Sequence, residues 1–348
     1  MALSPPANLP WLQRPLDEAL GQLRGHATLV HGPSGVGQFE FALLLAQAWL
    51  CEAPRNHRAC GECTGCRLLQ SRTHPDFCLL IPEALREALG WGAEGEARDS
   101  EAKSKAKPSR ELKVEAVREA IGWAQQTSSR GRGKVIVIHP AQAMNVISAN
   151  ALLKTLEEPP AGVRLVLSTA DPELLLPTLR SRCQRWTLQL PPEAESLAWL
   201  RERGVARPEV LLAAAGGRPL DAAALAADGA SAEAWLGLPQ AVKRADARPL
   251  AGWPVPRAVD ALQKLCHDAM VIAVGGTPRF FPAESLPPGA DLGMLNAWSK
   301  TLVRAARHDE HPWNAALLAE ALVIEGARCW PVAAPAPGAR RFATLNSR

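Results

Sequence analysis

Two regimes of hydrophobic patterning divide the chain. In the first half, short apolar runs bounded by turn residues alternate with segments of helical spacing. Ala27 to His31 predicts a strand, Gly32 to Gly37 a glycine-rich turn, and Phe39 to Leu50 a helix. Phe77 to Ile81 predicts a short strand after His74-Pro75-Asp76, and Val114 to Gln126 predicts a helix. Lys134 to Ile138 and Arg164 to Ser168 are continuous apolar runs, the signature of parallel strands buried on both faces. Between them, Ser148 to Glu158 predicts a helix that Pro159-Pro160 stops. Strands alternating with helices imply parallel crossovers and a covered central sheet, an α/β domain.

Pro191-Pro192 ends that regime, and the rest is helical only. Glu193 to Arg203, Pro208 to Ala215 and Asp221 to Ala227 predict a small helical domain. Val259, Leu262, Leu265, Ala269 and Ile272 share one helical face; Leu295, Trp298 and Leu302 mark a second helix, and Leu317, Ala321 and Ile324 a third. These predict a separate helical bundle. Two segments carry too little apolar area to offset the entropy of ordering: the polar stretch 92–110, expected to be a flexible insertion, and the Pro/Ala-rich tail 331–348.

Composition changes this picture little. The 348 residues are 47% hydrophobic and 21% charged, a globular balance that excludes collagen, coiled coil and wholesale disorder. A formal net charge of +4 does not by itself announce a nucleic-acid binder, because an electrostatic footprint needs charge gathered on one face. Tyrosine is absent, so phenol acid/base chemistry is excluded. Residues 1–10 have neither a basic leader nor an apolar core, and no apolar run reaches about 18 residues, so a soluble cytoplasmic protein with no membrane partner is expected.

Gly32-Pro33-Ser34-Gly35-Val36-Gly37 keeps the G-x-x-x-x-G framework after a strand and before a helix, where backbone N–H groups cradle phosphates. The two following positions should be Lys, for the phosphates, and Ser/Thr, for Mg²⁺; here they are Gln38 and Phe39. A phosphate-loop ATPase also places an acid at the end of a buried strand. After Val135-Ile136-Val137-Ile138 this chain has His139-Pro140. Gly32, Gly35 and Gly37 therefore predict a degenerate loop that neither binds ATP firmly nor hydrolyses it; a plain turn is the simpler alternative.

Four of the eight cysteines crowd together as Cys51, Cys60, Cys63 and Cys66. Short Cys-x₂-Cys spacings suit a tetrahedral structural Zn²⁺, and Gly61 and Gly65 allow the chain to wrap a metal. An iron-sulfur cluster and plain reduced thiols compete with this reading. The ferredoxin run continues with a further Cys-Pro, whereas this chain continues Arg67-Leu68-Leu69-Gln70, which favours zinc. Cys78, Cys183, Cys266 and Cys329 stand alone and are expected to act as small apolar residues.

Ala149 to Pro160 (ANALLKTLEEPP), Ser168 to Pro172 (STADP) and Leu179 to Cys183 (LRSRC) resemble the clamp-loader branch of the AAA+ ATPases. The eroded loop beside an intact Ser-Arg-Cys resembles its delta-prime family, in the bacterial DNA polymerase III holoenzyme, a DNA-directed DNA polymerase. The resemblance runs from about Pro10 to Thr187. It implies a RecA-like AAA+ domain over 1–190 with a zinc module at 51–66, a helical lid over 191–245 and an all-α collar over 246–330. It also implies zinc on the four clustered cysteines. Arg182 falls on the family's arginine finger, a guanidinium donated across a subunit boundary to a neighbour's γ-phosphate; on its own it would pass for a surface arginine. Thr169 or Ala170 and Gly216-Gly217-Arg218-Pro219 match the two sensor regions, with packing or capping as the simpler reading. Lys154 and Glu157-Glu158 are expected to be a polar helix face and end, and His74-Pro75-Asp76 a turn.

The partners so implied are the gamma/tau motor subunits, the delta subunit, and, through the complex, the sliding clamp and primer-template DNA. Two rival readings remain: an ATP-hydrolysing motor subunit, and a zinc knuckle that reads nucleic acid through Arg55 and Arg58.

Overall fold

The computed structural model describes residues 9–92, 108–307 and 314–330. The predicted insertion lies mostly, and the predicted tail wholly, outside these described residues. The chain divides into two compact units, one covering 1–208 with 217–224 and the other 209–216 with 225–348.

The first unit opens with α1 (Gln13–Gln22) and β1 (Ala27–His31), followed by α2 (Gln38–Leu50), α3 (Thr64–Gln70), β2 (Phe77–Leu80) and α4 (Glu83–Arg86). It continues through α5 (Val114–Ala124), β3 (Lys134–Ile138), α6 (Val146–Glu157), β4 (Val163–Thr169), α7 (Pro177–Arg180), β5 (Gln184–Thr187) and α8 (Glu193–Glu202). The strands form one sheet in the order β2-β3-β4-β1-β5, parallel throughout. β1 is central, with Val30 beside Ser168 on one side and Trp186 on the other.

Alternation along these strands builds two cores. Leu29, Ile136, Ile138, Leu165 and Leu167 face Val117 and Ala120 of α5 and Leu152 and Leu156 of α6. The intervening Val30, Val135, Val137 and Val166 are also buried, on the side where Phe41, Ala42 and Leu45 of α2 pack. Burial on both faces is why these strands read as unbroken apolar runs. Lys134 is the exception, buried because its ammonium donates to the Trp123 carbonyl at 2.7 Å and lies 4.1 Å from the centre of that indole. β5 was not expected. It is a polar edge strand, paired only with β1 and mostly exposed, so it carries no apolar signal.

The helices α9 (Pro208–Ala214) and α10 (Pro219–Ala227) follow. The second unit is built on α11 (Ala232–Lys243), α12 (Val255–Ala273), α13 (Leu292–Arg307) and α14 (Ala315–Ala327). Trp235, Leu238, Leu262, Leu265, Leu295, Trp298, Leu302 and Leu322 form its core. The Trp298 indole N–H donates to the Leu322 carbonyl at 2.9 Å, and a Cβ on Gly326 would lie 2.6 Å from that ring, so glycine lets α14 approach α13. α11 was missed because Gly237 and Pro239 interrupt its spacing. Among the described residues, no single helix is long and apolar enough to cross a membrane.

Candidate functional site

β1, β3 and β4 are parallel neighbours, so their C-terminal ends share one edge of the sheet, the edge where open α/β sheets bind ligands. The glycine loop leaves β1 there. Gly35 and Gly37 have φ of +70° and +102°, and a Cβ on Gly32 would sit 2.2 Å from the Leu188 carbonyl oxygen. The three predicted glycines therefore do shape a tight loop.

The residues around the loop are engaged with one another. The Gln38 side-chain amide donates to the carbonyls of Gly32 and Pro33, both at 2.6 Å, turning inward where a lysine amine would reach out to phosphate. The Phe39 ring lies 4.9 Å from the His139 imidazole, centre to centre, and His139 Nδ1 is 2.9 Å from the Ser168 hydroxyl. Burial pushes His139 down to about 4, so it is neutral at physiological pH. The metal-ligand position and the acid position are thus an apolar ring and an uncharged imidazole in contact. A third element is Asp221 at the start of α10. The Leu220 N–H donates to the Gly35 carbonyl at 3.1 Å, the Ser34 hydroxyl donates to Asp221 at 3.4 Å, and a Cβ on Gly35 would lie 2.4 Å from the Asp221 carboxylate. Arg218, matched to the second sensor, forms an ion pair with Asp221 at 2.7 Å. Thr169 is equally engaged, its hydroxyl 2.5 Å from Gln142 Oε1 and accepting the Asp171 N–H at 3.1 Å.

Arg182 lies just past α7. Its Nε donates to Glu157 Oε1 at 2.7 Å, and Nη1 donates to the Thr178 carbonyl at 3.0 Å and to the Ser181 hydroxyl at 3.3 Å. Its side chain remains 34% exposed. Glu157, expected to end a helix or, as the sharper reading, to act at a subunit boundary, orients this guanidinium.

The four clustered cysteines converge. Their sulfurs all lie within 4.8 Å of one another, with Cys51 Sγ 3.6 Å from Cys60 Sγ and 3.8 Å from Cys63 Sγ. A tetrahedron with metal–sulfur bonds of about 2.3 Å has edges of about 3.8 Å, so the set fits a Cys₄ zinc centre. Backbone N–H groups of Cys60, Cys63 and Cys66 point at the sulfurs of Cys51, Cys60 and Cys63 at 3.2, 3.3 and 3.4 Å, as thiolates require. Burial opposes ionisation of Cys63, but the Cys66 and Glu52 N–H groups prevail and hold its thiol down to about 6. A Cβ on Gly65 would meet the Leu50 carbonyl at 2.8 Å, so glycine closes the module. Asn56 and His57 both have positive φ and form the tight turn whose Arg55 and Arg58 exchange two backbone bonds at 3.0 Å. Arg58 ties this turn to α1 through Asp17 at 2.5 Å and Gln13 at 2.7 Å. His74-Pro75-Asp76 is the expected turn. Asp76 is fully buried and accepts the N–H groups of Ser129 and Arg130 at 2.7 and 2.8 Å.

A family profile described as "DNA polymerase III, delta subunit" matches residues 16–192, about half of the chain. The chain belongs to this family.

Among curated relatives, it is 36% identical over 225 residues to the DNA polymerase III subunit delta' of Pseudomonas aeruginosa, covering 63% of this chain and 62% of that protein. It is 34% identical over 209 residues to the delta' subunit of Escherichia coli, covering 59% and 56%. The chain thus spans about three fifths of the length of these family members. The tau subunit of Salmonella typhimurium is 32% identical over 171 residues, 49% of this chain and 22% of that one. A solved gamma subunit-related protein of Thermotoga maritima superposes over 91% of this chain and 99% of its own, with 15% identity and a TM-score of 0.44. The family match contains the loop, the cysteines and Arg182, and ends before Asp221. Asp221 had no signal in the sequence, because 187 positions separate it from Ser34 and only the fold brings them together.

Proposed function

We propose that the chain is a delta-prime clamp-loader subunit that does not hydrolyse ATP and donates Arg182 to a nucleotide held by a neighbouring motor subunit. The observation that carries this reading is the engaged loop. Gln38 bonds back onto Gly32 and Pro33, Phe39 packs on a neutral His139, and Asp221 sets a carboxylate beside Gly35, where phosphate charge would have to sit. Each of these opposes the positive charge and metal that phosphoryl transfer needs. Arg182 is partly exposed, and its guanidinium is held by Glu157 and the Thr178 carbonyl, a pairing that a neighbour's phosphate would displace to recruit it.

In this reading residues 1–190 are a RecA-like AAA+ domain, 191–245 a lid whose last helix, α11, packs into the core of the second unit, and 246–330 a collar that joins the gamma/tau and delta subunits in the cytoplasm. The complex then loads the sliding clamp onto primed DNA. The four cysteines hold a structural zinc, which supplies folding energy to a segment too short for its own core. The zinc knuckle is a poor nucleic-acid reader by itself, since Arg55 pairs with Glu62 at 3.1 Å and Arg58 with Asp17.

Mixing the purified chain with motor and delta subunits, alongside turnover assays of the chain alone, tests the proposal. Incorporation into a stoichiometric complex and no hydrolysis above blank are expected. Hydrolysis by the lone chain that disappears on changing its glycine loop contradicts it, as does failure to join any motor or delta subunit.

A further inference from the structure

The opposite edge of the sheet, where its strands begin, carries a second constellation. Arg24 precedes β1, Arg132 precedes β3, and Arg164 stands near the start of β4. Because these three strands are adjacent and parallel, the arginines gather at one edge, away from the glycine loop. They line a solvent-open cavity of about 450 Å³ together with Trp49 from the end of α2 and Pro54 and His57 from the cysteine module. No Asp or Glu lines it.

Three other arginines of the cysteine module and the turn before β3 have carboxylate partners: Arg55 with Glu62, Arg58 with Asp17 and Arg130 with Glu52. Among the described residues, no carboxylate pairs with Arg24, Arg132 or Arg164. The Arg164 guanidinium instead lies 4.6 Å from the centre of the Trp49 ring. Its burial and the charges of Arg132 and Arg24 lower its pKa, so the three cations repel one another in the free chain. An uncompensated concave cluster of one sign attracts an anion with several charges.

We propose that this cleft binds the phosphodiester backbone of a DNA strand, with Arg24, Arg132 and Arg164 each facing a phosphate. Guanidinium forks match phosphate oxygens in pairs. Arg164 covers the Trp49 indole, which leaves the small His57 imidazole as the open ring of the lining, so contact is made chiefly to the backbone. Of the apolar lining residues, Leu23 and Ala48 are buried beneath the surface, while Leu20 and Pro54 stay partly open, so the accessible lining is dominated by the three cations. The site is separate from the nucleotide loop and from Arg182, and it does not depend on the subunit assignment above.

The test is fluorescence anisotropy of the full-length zinc-loaded chain with a labelled single-stranded oligothymidylate over a salt series. Three phosphate contacts predict a log–log salt slope of about −2, from roughly 0.7 per phosphate on single strands. Arg24→Glu/Arg132→Glu should weaken binding at least tenfold and flatten the slope, and the uncharged pair Arg24→Gln/Arg132→Gln should weaken it in the same direction with unchanged melting. The exposed control pair Arg118→Glu/Arg185→Glu, which changes net charge equally, should stay within twofold of wild type. The proposal is overturned by absent or salt-insensitive binding, or by equal losses in both charge-reversal pairs. It is also overturned if a polyglutamate peptide or inorganic tripolyphosphate competes as well as an oligonucleotide of matched charge, which would identify a peptide or a free-phosphate site instead.

Discussion

His139 sits against the Phe39 ring and within hydrogen-bonding distance of Ser168, and burial alone pushes its imidazole down to about 4. An unfolded histidine titrates near 6.5, so on acidification the unfolded chain takes up this proton first. The contribution to stability is complete above pH 6.5 and is lost as pH falls towards 4, about 3 kcal/mol in all and about 2 kcal/mol by pH 5. Urea denaturation at pH 7.5 and pH 5 should show this loss in the wild type and a smaller one in His139→Gln. Equal losses would mean that the imidazole is protonated in the folded chain. The identities of Gln38, Phe39 and His139 already argue against a working ATPase site from sequence. What those residues do instead, an amide folded back on the loop and a ring covering an imidazole, depends on side-chain direction and not on spacing. Asp221 and Glu157 were invisible as partners for the same reason: each meets its counterpart only through tertiary packing.

At the scale of elements, the module from Cys51 to α3 has few buried side chains of its own and rests on four sulfurs, one turn and the Arg58 contacts. The purified chain should contain one equivalent of zinc. Chelation, or Cys60→Ser, should abolish amide exchange protection over 51–70 while leaving β3 and β4 protected. Iron, or no metal in freshly reduced protein, would contradict the assignment, and so would global unfolding with the first loss of metal. Cys spacing made this module legible in advance, as both-face burial did for β1, β3 and β4. Where a strand is mostly exposed or a helix carries a breaker, the pattern fails. β5 is polar and edge-bound, and α11 contains Gly237 and Pro239 while still burying Trp235, Leu238 and Val242. Packing of those three residues supplies what the local propensity lacks.

At the scale of the whole molecule, the chain folds as two compact units. The first keeps the sheet, the loop and the arginine, and its loop is closed by the 217–224 segment that belongs to it. In the proposed reading a loop held by its own chain undergoes no nucleotide-driven rearrangement, as suits a subunit that stays rigid beside moving neighbours. In that reading its contribution to chemistry is Arg182. The direct measurement is steady-state ATP hydrolysis by the complex reconstituted with motor and delta subunits, comparing wild type, Arg182→Ala and Arg182→Lys, with assembly verified by size. An arginine supplied in trans is worth about 10³ to 10⁵ in rate at the site it serves. Both variants should therefore assemble normally and silence the one motor site next to this chain, Lys failing because it lacks the planar fork. Turnover identical to wild type in an intact Arg182→Ala complex would contradict the account.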